Sequence, residues 1–518
     1  MKTNHLAMLG LALGFTAAAL WLRPPPPPAS PDAPHQGPNL LILVWDTVRA
    51  DRMSLYGHGQ PTTPRLDVRA RRGVVFERAV SAAEWTPPSH ATLFTGLMPR
   101  HHGVKATYKW LDDHHRTLAE ILVDAGYDTW SFSANPHLAP DTNLVQGFQQ
   151  VHTAFDSTWG DKVKAATWAK LQRKDASTEI SPAYTPHPKG GRRGAAAFKD
   201  AGTVAPDALR DWLRTRQDPA RPWFAFVNFM EAHTPRVPAL SARKQVMSTH
   251  RRRVALNTEA SQFHLLAYSL GHHSYTPEEL DALRGVYDAT LVELDAATDA
   301  LLEGLAADGQ LDNTVVVLTS DHGENLGDHG LFGHKFYPWD TLLRVPLVIW
   351  HEGQLAPRRE REPVSMVHAF ATVLHTLGLV VPEGVDGRLN LLRLDAPLRL
   401  LSELVETTPL AVRRIDLAFG VEDKAKWLRS FEVVEEAGEK LVVGSDGGRQ
   451  LFDLGADPGE TADLAEARPE RVEALEAALA EGFAGVGVYD PGKRAEGDEA
   501  PELPPGTQEM LEGLGYVE

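Results

Sequence analysis

The chain has no cysteine among its 518 residues. Disulfide cross-links are excluded, and so is attachment to a membrane through a lipid-modified cysteine. Positive charge is also short: 52 Lys and Arg against 69 Asp and Glu leave a net charge of -17. That balance argues against general affinity for nucleic acid. Any anion site must then be made positive locally, by a metal ion, a lysine, a histidine or a helix end. No internal repeat is visible. The sequence offers one apolar run near membrane-spanning length, residues 6–22, flanked by Lys2 and His5 before it and by Arg23 and a proline run after it. The run reads as an uncleaved anchor that leaves the bulk of the chain outside the cytoplasm; a cleaved secretion signal is the alternative. The prolines at 24–28 form a stiff spacer.

What is present is the composition of a globular enzyme, with 43% hydrophobic and 23% charged residues. Residues 39–45 (NLLILVW) are apolar throughout, as expected of a strand buried on both faces. Further strands are expected at 128–133, 223–228, 313–320 and 345–350, and helices at 117–125, 276–307 and 364–377. Thr276 and Glu279 make a capping box at the start of the longest helix. Strands alternating with helices predict an α/β fold with a mostly parallel sheet and helices on both faces. Short strands at 431–435, 440–443 and 450–454, then a helix near 470–481, predict a small C-terminal antiparallel sheet with a packed helix. The expected organisation is an anchor or signal with its linker at 1–38, a catalytic part at 39–385, a C-terminal α+β subdomain at 386–488 and a tail at 489–518. The basic, glycine-rich stretch 151–205 reads as a solvated insertion, and 151–274 as the substrate rim.

Chemistry collects around residues 84–96 (EWTPPSHATLFTG). Thr86 reads as an N-cap, Pro87 as the first helical residue and Gly96 as the stop. A hydroxyl at a helix start lies among unpaired N–H groups and suits an anion. Ligands in parallel sheets bind beyond the carboxyl ends of the strands. The polar residues there are Asp46, then Glu231 with His233, then Asp321 with His322; the stretch 321–335 adds His334 and Lys335. Carboxylate and imidazole together suit Zn or Mn, and carboxylate alone suits Ca or Mg. Such an ion would acidify the Thr86 hydroxyl. Each residue alone has a bland reading as a turn or cap. His329 reads as a loop residue, and His101, His102, His272 and His273 as surface histidines. The order of the pieces is the specific signal.

With those pieces the sequence resembles the sulfatase family of the alkaline phosphatase superfamily. The resemblance runs from NLLILVWDTVRADRMSLYG through TPPSHATLFTG, TLAEILVDAGYDT, EAHTP, NTVVVLTSDHGENLGDHG and RVPLVIW to LFDLGADPGE. It implies the alkaline-phosphatase-like fold and ester hydrolysis at a divalent metal ion. Sulfatases of this family use a formylglycine made from Cys or Ser. Thr86 stands at that position here, His90 replaces the motif arginine, and Trp45-Asp46 replaces a pair of acids. The remaining set looks more like the branches of the superfamily in which a threonine attacks phosphorus beside Zn or Mn. The expectation is therefore an ion (Zn, Mn or Ca) held by Asp46, Thr86, Asp321 and His322. Thr86 is the expected nucleophile, and His233, His334 and Lys335 are expected to serve the anion or the leaving group. The expected substrate is a small-molecule, glycan or lipid ester, phosphoric before sulfuric. The alternatives are sulfuric ester hydrolysis without formylglycine and an anchored, non-catalytic binding protein.

Overall fold

The structure, a computed structural model, describes residues 37–172, 199–405 and 409–490. The expected anchor run at 6–22 with all but the last two residues of its segment 1–38, and most of the expected tail at 489–518, lie outside the described residues. Among the described residues no helix is long and apolar enough to cross a membrane.

The large sheet is built from β1 (Asn39–Trp45), β2 (Val74–Val80), β3 (Asp128–Ser133), β4 (Gln150–Thr153), β5 (Trp223–Phe229) and β6 (Thr314–Thr319). A two-stranded ribbon follows, β7 (Asn325–Leu326) and β8 (Phe332–Gly333), and then β9 (Arg344–His351), β10 (Arg358–Glu360) and β11 (Val364–Ser365). The order across the sheet is β10-β2-β9-β6-β1-β5-β3-β4, with β11 also on β2. β1 lies between β5 and β6 and runs parallel to both, and β3 is parallel to β5 and β4. The carboxyl ends of β1, β3, β5 and β6 therefore meet at one edge.

The apolar run of β1 is explained by burial on both faces. Leu41, Leu43 and Trp45 enter one core, against the long helix Pro277–Ala307 and the helix Ala205–Thr215. Leu40, Ile42 and Val44 enter the other, beneath the helices Thr86–Thr95, Leu118–Asp124 and Ala369–Thr376. The alternation is the ordinary period of two.

β9 is antiparallel to both β2 and β6, within a sheet that is mostly parallel as expected. Other expectations need correction. β2 was not anticipated because Glu77 and Arg78 interrupt its apolar pattern; Arg78 is satisfied by Glu435 and Asp340. The expected helix at 364–377 divides, since Val364 and Ser365 pair with Ala79 and Val80 and only Ala369–Thr376 is α-helical. The stretch 151–205 is not merely a solvated face. Half-buried Lys170 is held between Asp200 (2.7 Å) and Glu293 (2.9 Å), and Lys199 is buried.

The small sheet has four strands, β12 (Leu400–Leu404), β13 (Phe431–Glu436), β14 (Glu439–Gly444) and β15 (Arg449–Asp453), all antiparallel in that order. β12 was not expected. The helix Pro469–Ala484 covers this sheet with Val472, Leu475, Leu479 and Phe483. β12 also braces the segment leading to Thr86: Glu403 N–H donates to Ala82 O at 2.9 Å and Ser402 Oγ to Ser81 O at 2.7 Å.

Candidate active site

Thr86 is the first residue of its helix, and the N-cap is Trp85, one residue earlier than the sequence suggested. The shift has a reason: Trp85 holds the extended conformation of a cap, while Thr86 precedes Pro87 and Pro88 inside the first turn. Its hydroxyl therefore bonds outward instead of capping its own helix. Gly96 ends the helix at φ 70, its N–H on Thr92 O.

The structure brings Asp46, Thr86, Asp321 and His322 together. Ligand atoms of Asp46, Asp321 and His322 all lie within 4.8 Å of one another, and all three residues are buried. Thr86 Oγ1 is 3.3 Å from His322 Nε2. Asn135, just past β3, donates from Nδ2 to Asp46 Oδ2 at 2.7 Å and to Thr86 Oγ1 at 3.3 Å. Asn228 Nδ2 adds a longer contact to Asp46 Oδ2 at 3.4 Å. Thr47 N–H and His322 N–H donate to Asp321 Oδ1 at 3.2 and 2.9 Å.

Two oxygens stay unsatisfied: Asp46 Oδ1 and Asp321 Oδ2 are buried with no hydrogen-bond partner among the described residues. Burial pushes each carboxyl up to about 7, and for Asp46 the neighbouring Asp321 adds to the rise. Buried carboxylates without donors are costly, and a divalent cation between them removes that cost. His322 fits the same purpose. Its Nδ1–H donates to Gly323 O at 2.9 Å, which leaves the Nε2 lone pair toward Thr86 and the aspartates. This donor set fits a divalent cation held by Asp46, Asp321 and His322 with Thr86 beside it.

The other expected residues form the adjoining wall. The His334 ring lies 4.6 Å from that of His322 and 5.3 Å from that of His233, centroid to centroid. His233 Nδ1–H donates to Thr234 O at 2.6 Å, and His334 Nδ1–H to Glu324 Oε1 at 3.1 Å. Burial pushes both rings well below the usual histidine range, so they are neutral. Lys335 is half-buried, and its charge reaches His322, His334 and Glu84. His90 in the motif-arginine position is also neutral, pushed down to about 3 by burial, with Nδ1–H on Thr86 O at 2.9 Å.

Glu231 does not join the cation group. Its Oε1 accepts from Gly202 N–H at 2.8 Å, next to buried Lys199. Lys199 Nζ in turn bonds Met230 O and, at 2.6 Å, His233 O, so the insertion reaches under the His233 loop. His102 is buried, with Nε2 3.3 Å from Thr92 Oγ1, and His101 faces Asp386 at 3.0 Å. Neither is the free surface histidine expected. His329 stacks on Trp339 at 3.6 Å. Trp45 turns to the opposite core, Nε1 donating to Thr298 Oγ1 at 2.9 Å, so nothing at that position replaces a second acid. Asn135, Asn228, Glu324 and Arg236 were missed. Asn135 had a signal, being a polar residue just past a parallel strand.

A sulfatase family model matches residues 38–379. The chain belongs to the sulfatase family. It is 24% identical over 474 residues to an arylsulfatase of Clostridium perfringens, covering 85% of this chain and 92% of the relative. It is 25% identical over 484 residues to the multifunctional alkaline phosphatase superfamily protein PehA of Trinickia caryophylli, covering 82% and 91%. Among solved structures it resembles the phosphonate monoester hydrolase of Agrobacterium radiobacter, at 23% identity and TM-score 0.66, over 86% of this chain and 95% of that one. Family membership makes the chain a sulfatase-like ester hydrolase, and the fold is the family's mixed sheet with its small antiparallel C-terminal sheet.

Proposed function

We propose that this sulfatase-family enzyme cleaves or transfers a phosphoric or phosphonic ester group through a covalent adduct on Thr86. The observation that carries the proposal is the Thr86 hydroxyl, 1% exposed, set against His322 Nε2 at the mouth of a buried carboxylate pair with unsatisfied oxygens. Asp46, Asp321 and His322 would hold one divalent cation. When bound, the ion supplies positive charge that acidifies a neighbouring hydroxyl and offsets the charge of the ester.

The protein's own groups do the rest. Asn135 fixes the Thr86 oxygen, which lies at the positive end of its helix dipole, although Pro87 and Pro88 contribute no N–H there. The Thr86 hydroxyl gives up its proton by way of His233, its oxygen bonds to phosphorus, the bond to the alcohol oxygen breaks with the electron pair leaving on that oxygen, and the group stays on Thr86. Water or an acceptor alcohol then discharges it. Lys335 is the side chain that brings fixed positive charge, while the neutral His233 and His334 manage protons at the oxygens. The relatives include both an arylsulfatase and a phosphonate monoester hydrolase. Phosphorus is preferred because a sulfated threonine has no second hydroxyl with which to expel sulfate, as the formylglycine hydrate does.

Metal-loaded protein, assayed in parallel on para-nitrophenyl sulfate and para-nitrophenyl phenylphosphonate, tests the choice. Faster turnover of the phosphonate is expected; preference for the sulfate would move the reading to sulfuric esters. Thr86→Ala is expected to lose at least about a thousandfold in turnover while still binding metal, with Thr86→Ser active. Undiminished activity in the alanine variant would remove Thr86 as nucleophile.

A further inference from the structure

Glu324 is two residues from His322 and belongs to no expected site. It is 1% exposed, and each of its carboxylate oxygens has one side-chain partner. Oε1 accepts from His334 Nδ1–H at 3.1 Å, and Oε2 accepts from Arg236 Nη2 at 2.6 Å. Arg236 is itself fixed, with Nε on Ala232 O at 2.7 Å and its guanidinium 5.1 Å from the centre of the Tyr287 ring. Tyr287 donates to Thr47 O at 2.8 Å, next to Asp46. A carboxylate held this firmly sets both the orientation of the imidazole and its tautomer.

We propose that Glu324, braced by Arg236, is a positioning residue that makes His334 the base for the second half of the reaction. The inference rests on the covalent Thr86 reading. With Nδ1 carrying its proton toward Glu324, the lone pair of His334 is on Nε2, and the ring itself lies 4.6 Å from that of His322 and 5.3 Å from that of His233. In the discharge step a water oxygen bonds to phosphorus as the phosphorus–Oγ bond of Thr86 breaks. The water proton passes to His334 Nε2 and from there to the departing Thr86 oxygen, so hydroxyl and neutral imidazole are both restored. The formylglycine route breaks the carbon–oxygen bond as its second hydroxyl loses a proton and becomes the aldehyde oxygen, so no water has to attack phosphorus there. On a threonine adduct water must attack phosphorus, and a base has to take its proton.

The test is rapid-quench kinetics of metal-loaded full-length protein on para-nitrophenyl phenylphosphonate, comparing the parent with Glu324→Gln and with the milder Glu324→Asp. In both variants the first turnover is expected to stay within about threefold of the parent, while steady-state turnover falls about 10- to 100-fold. Mass spectrometry should then find the adduct accumulated on the Thr86 peptide. Added imidazole should speed discharge in His334→Gly. Equal slowing of the first and later turnovers, without adduct, would overturn the role of Glu324; if the glutamine variant does not fold, the aspartate variant gives the same reading. Failure of the Thr86 reading looks different: the parent itself would carry no adduct and Thr86→Ala would turn over.

Discussion

The chemistry turns on a few side chains whose ordinary behaviour is altered by where they sit. In the unfolded chain Asp46 and Asp321 ionise at the ordinary carboxyl value of 3.8, and in the folded chain near 7. Between those values the folded state holds more protons than the unfolded one. Metal-free stability therefore falls as pH rises from about 4 to about 7. A cation needs both carboxylates ionised. The rise in Tm caused by adding metal should accordingly grow across that range and level off above about pH 7. Thermal melts with excess Zn or Mn and with chelator, across that pH range, measure it. A gain independent of pH would place the ion somewhere other than this carboxylate pair.

Whole elements hold those residues in register. Gly323 follows His322, and a Cβ there would lie 1.9 Å from Thr341 O, a backbone atom that cannot swing aside. Gly323→Ala should displace the loop carrying Asp321 and His322 and weaken metal binding at least about tenfold by calorimetric titration. Gly96→Ala is the comparison. Its Cβ would meet Phe370 Cδ1 at 2.8 Å in a left-handed backbone, at the far end of the Thr86 helix. A loss of about 1–3 kcal/mol with metal affinity retained is expected. Equal effects of the two on metal affinity would contradict the separation of roles. Much at this scale was legible from the residues. β1, β3, β5 and the long helix announce themselves by apolar runs and a capping box, and Asp46, Asp321 and His322 by following strands. β2 was hidden by Glu77 and Arg78, whose partners, Arg359 for the first and Glu435 with Asp340 for the second, are far away in sequence. Glu324 was hidden because its value lies in which atoms it touches, and spacing along the chain does not encode that; Asn135 stood in view as one more polar residue just past a strand.

At the scale of the molecule, the two sheets are joined by buried ions. Lys440 of β14 is 1% exposed and reaches Glu460 at 2.6 Å, Asp340 at 3.2 Å and Pro338 O at 2.8 Å. Lys440→Met leaves the buried Glu460 carboxylate without its cation, while Asp340 keeps Arg78, so a loss of about 3–5 kcal/mol in denaturant unfolding is expected. A neutral outcome would mean that the small sheet is held by its apolar contacts alone. The small sheet matters to catalysis because β12 bonds Ala82 and Ser81, a few residues ahead of Thr86. The central claim, that the Thr86 oxygen becomes covalently bonded to the group it removes, has one direct measurement: mass spectrometry of the Thr86 peptide from metal-loaded protein, acid-quenched during turnover of para-nitrophenyl phenylphosphonate. The account predicts that this peptide gains the mass of the transferred phosphonyl group, on Thr86. A peptide that stays unmodified while para-nitrophenol is released, in a Glu324→Gln background as well as in the parent, would contradict it.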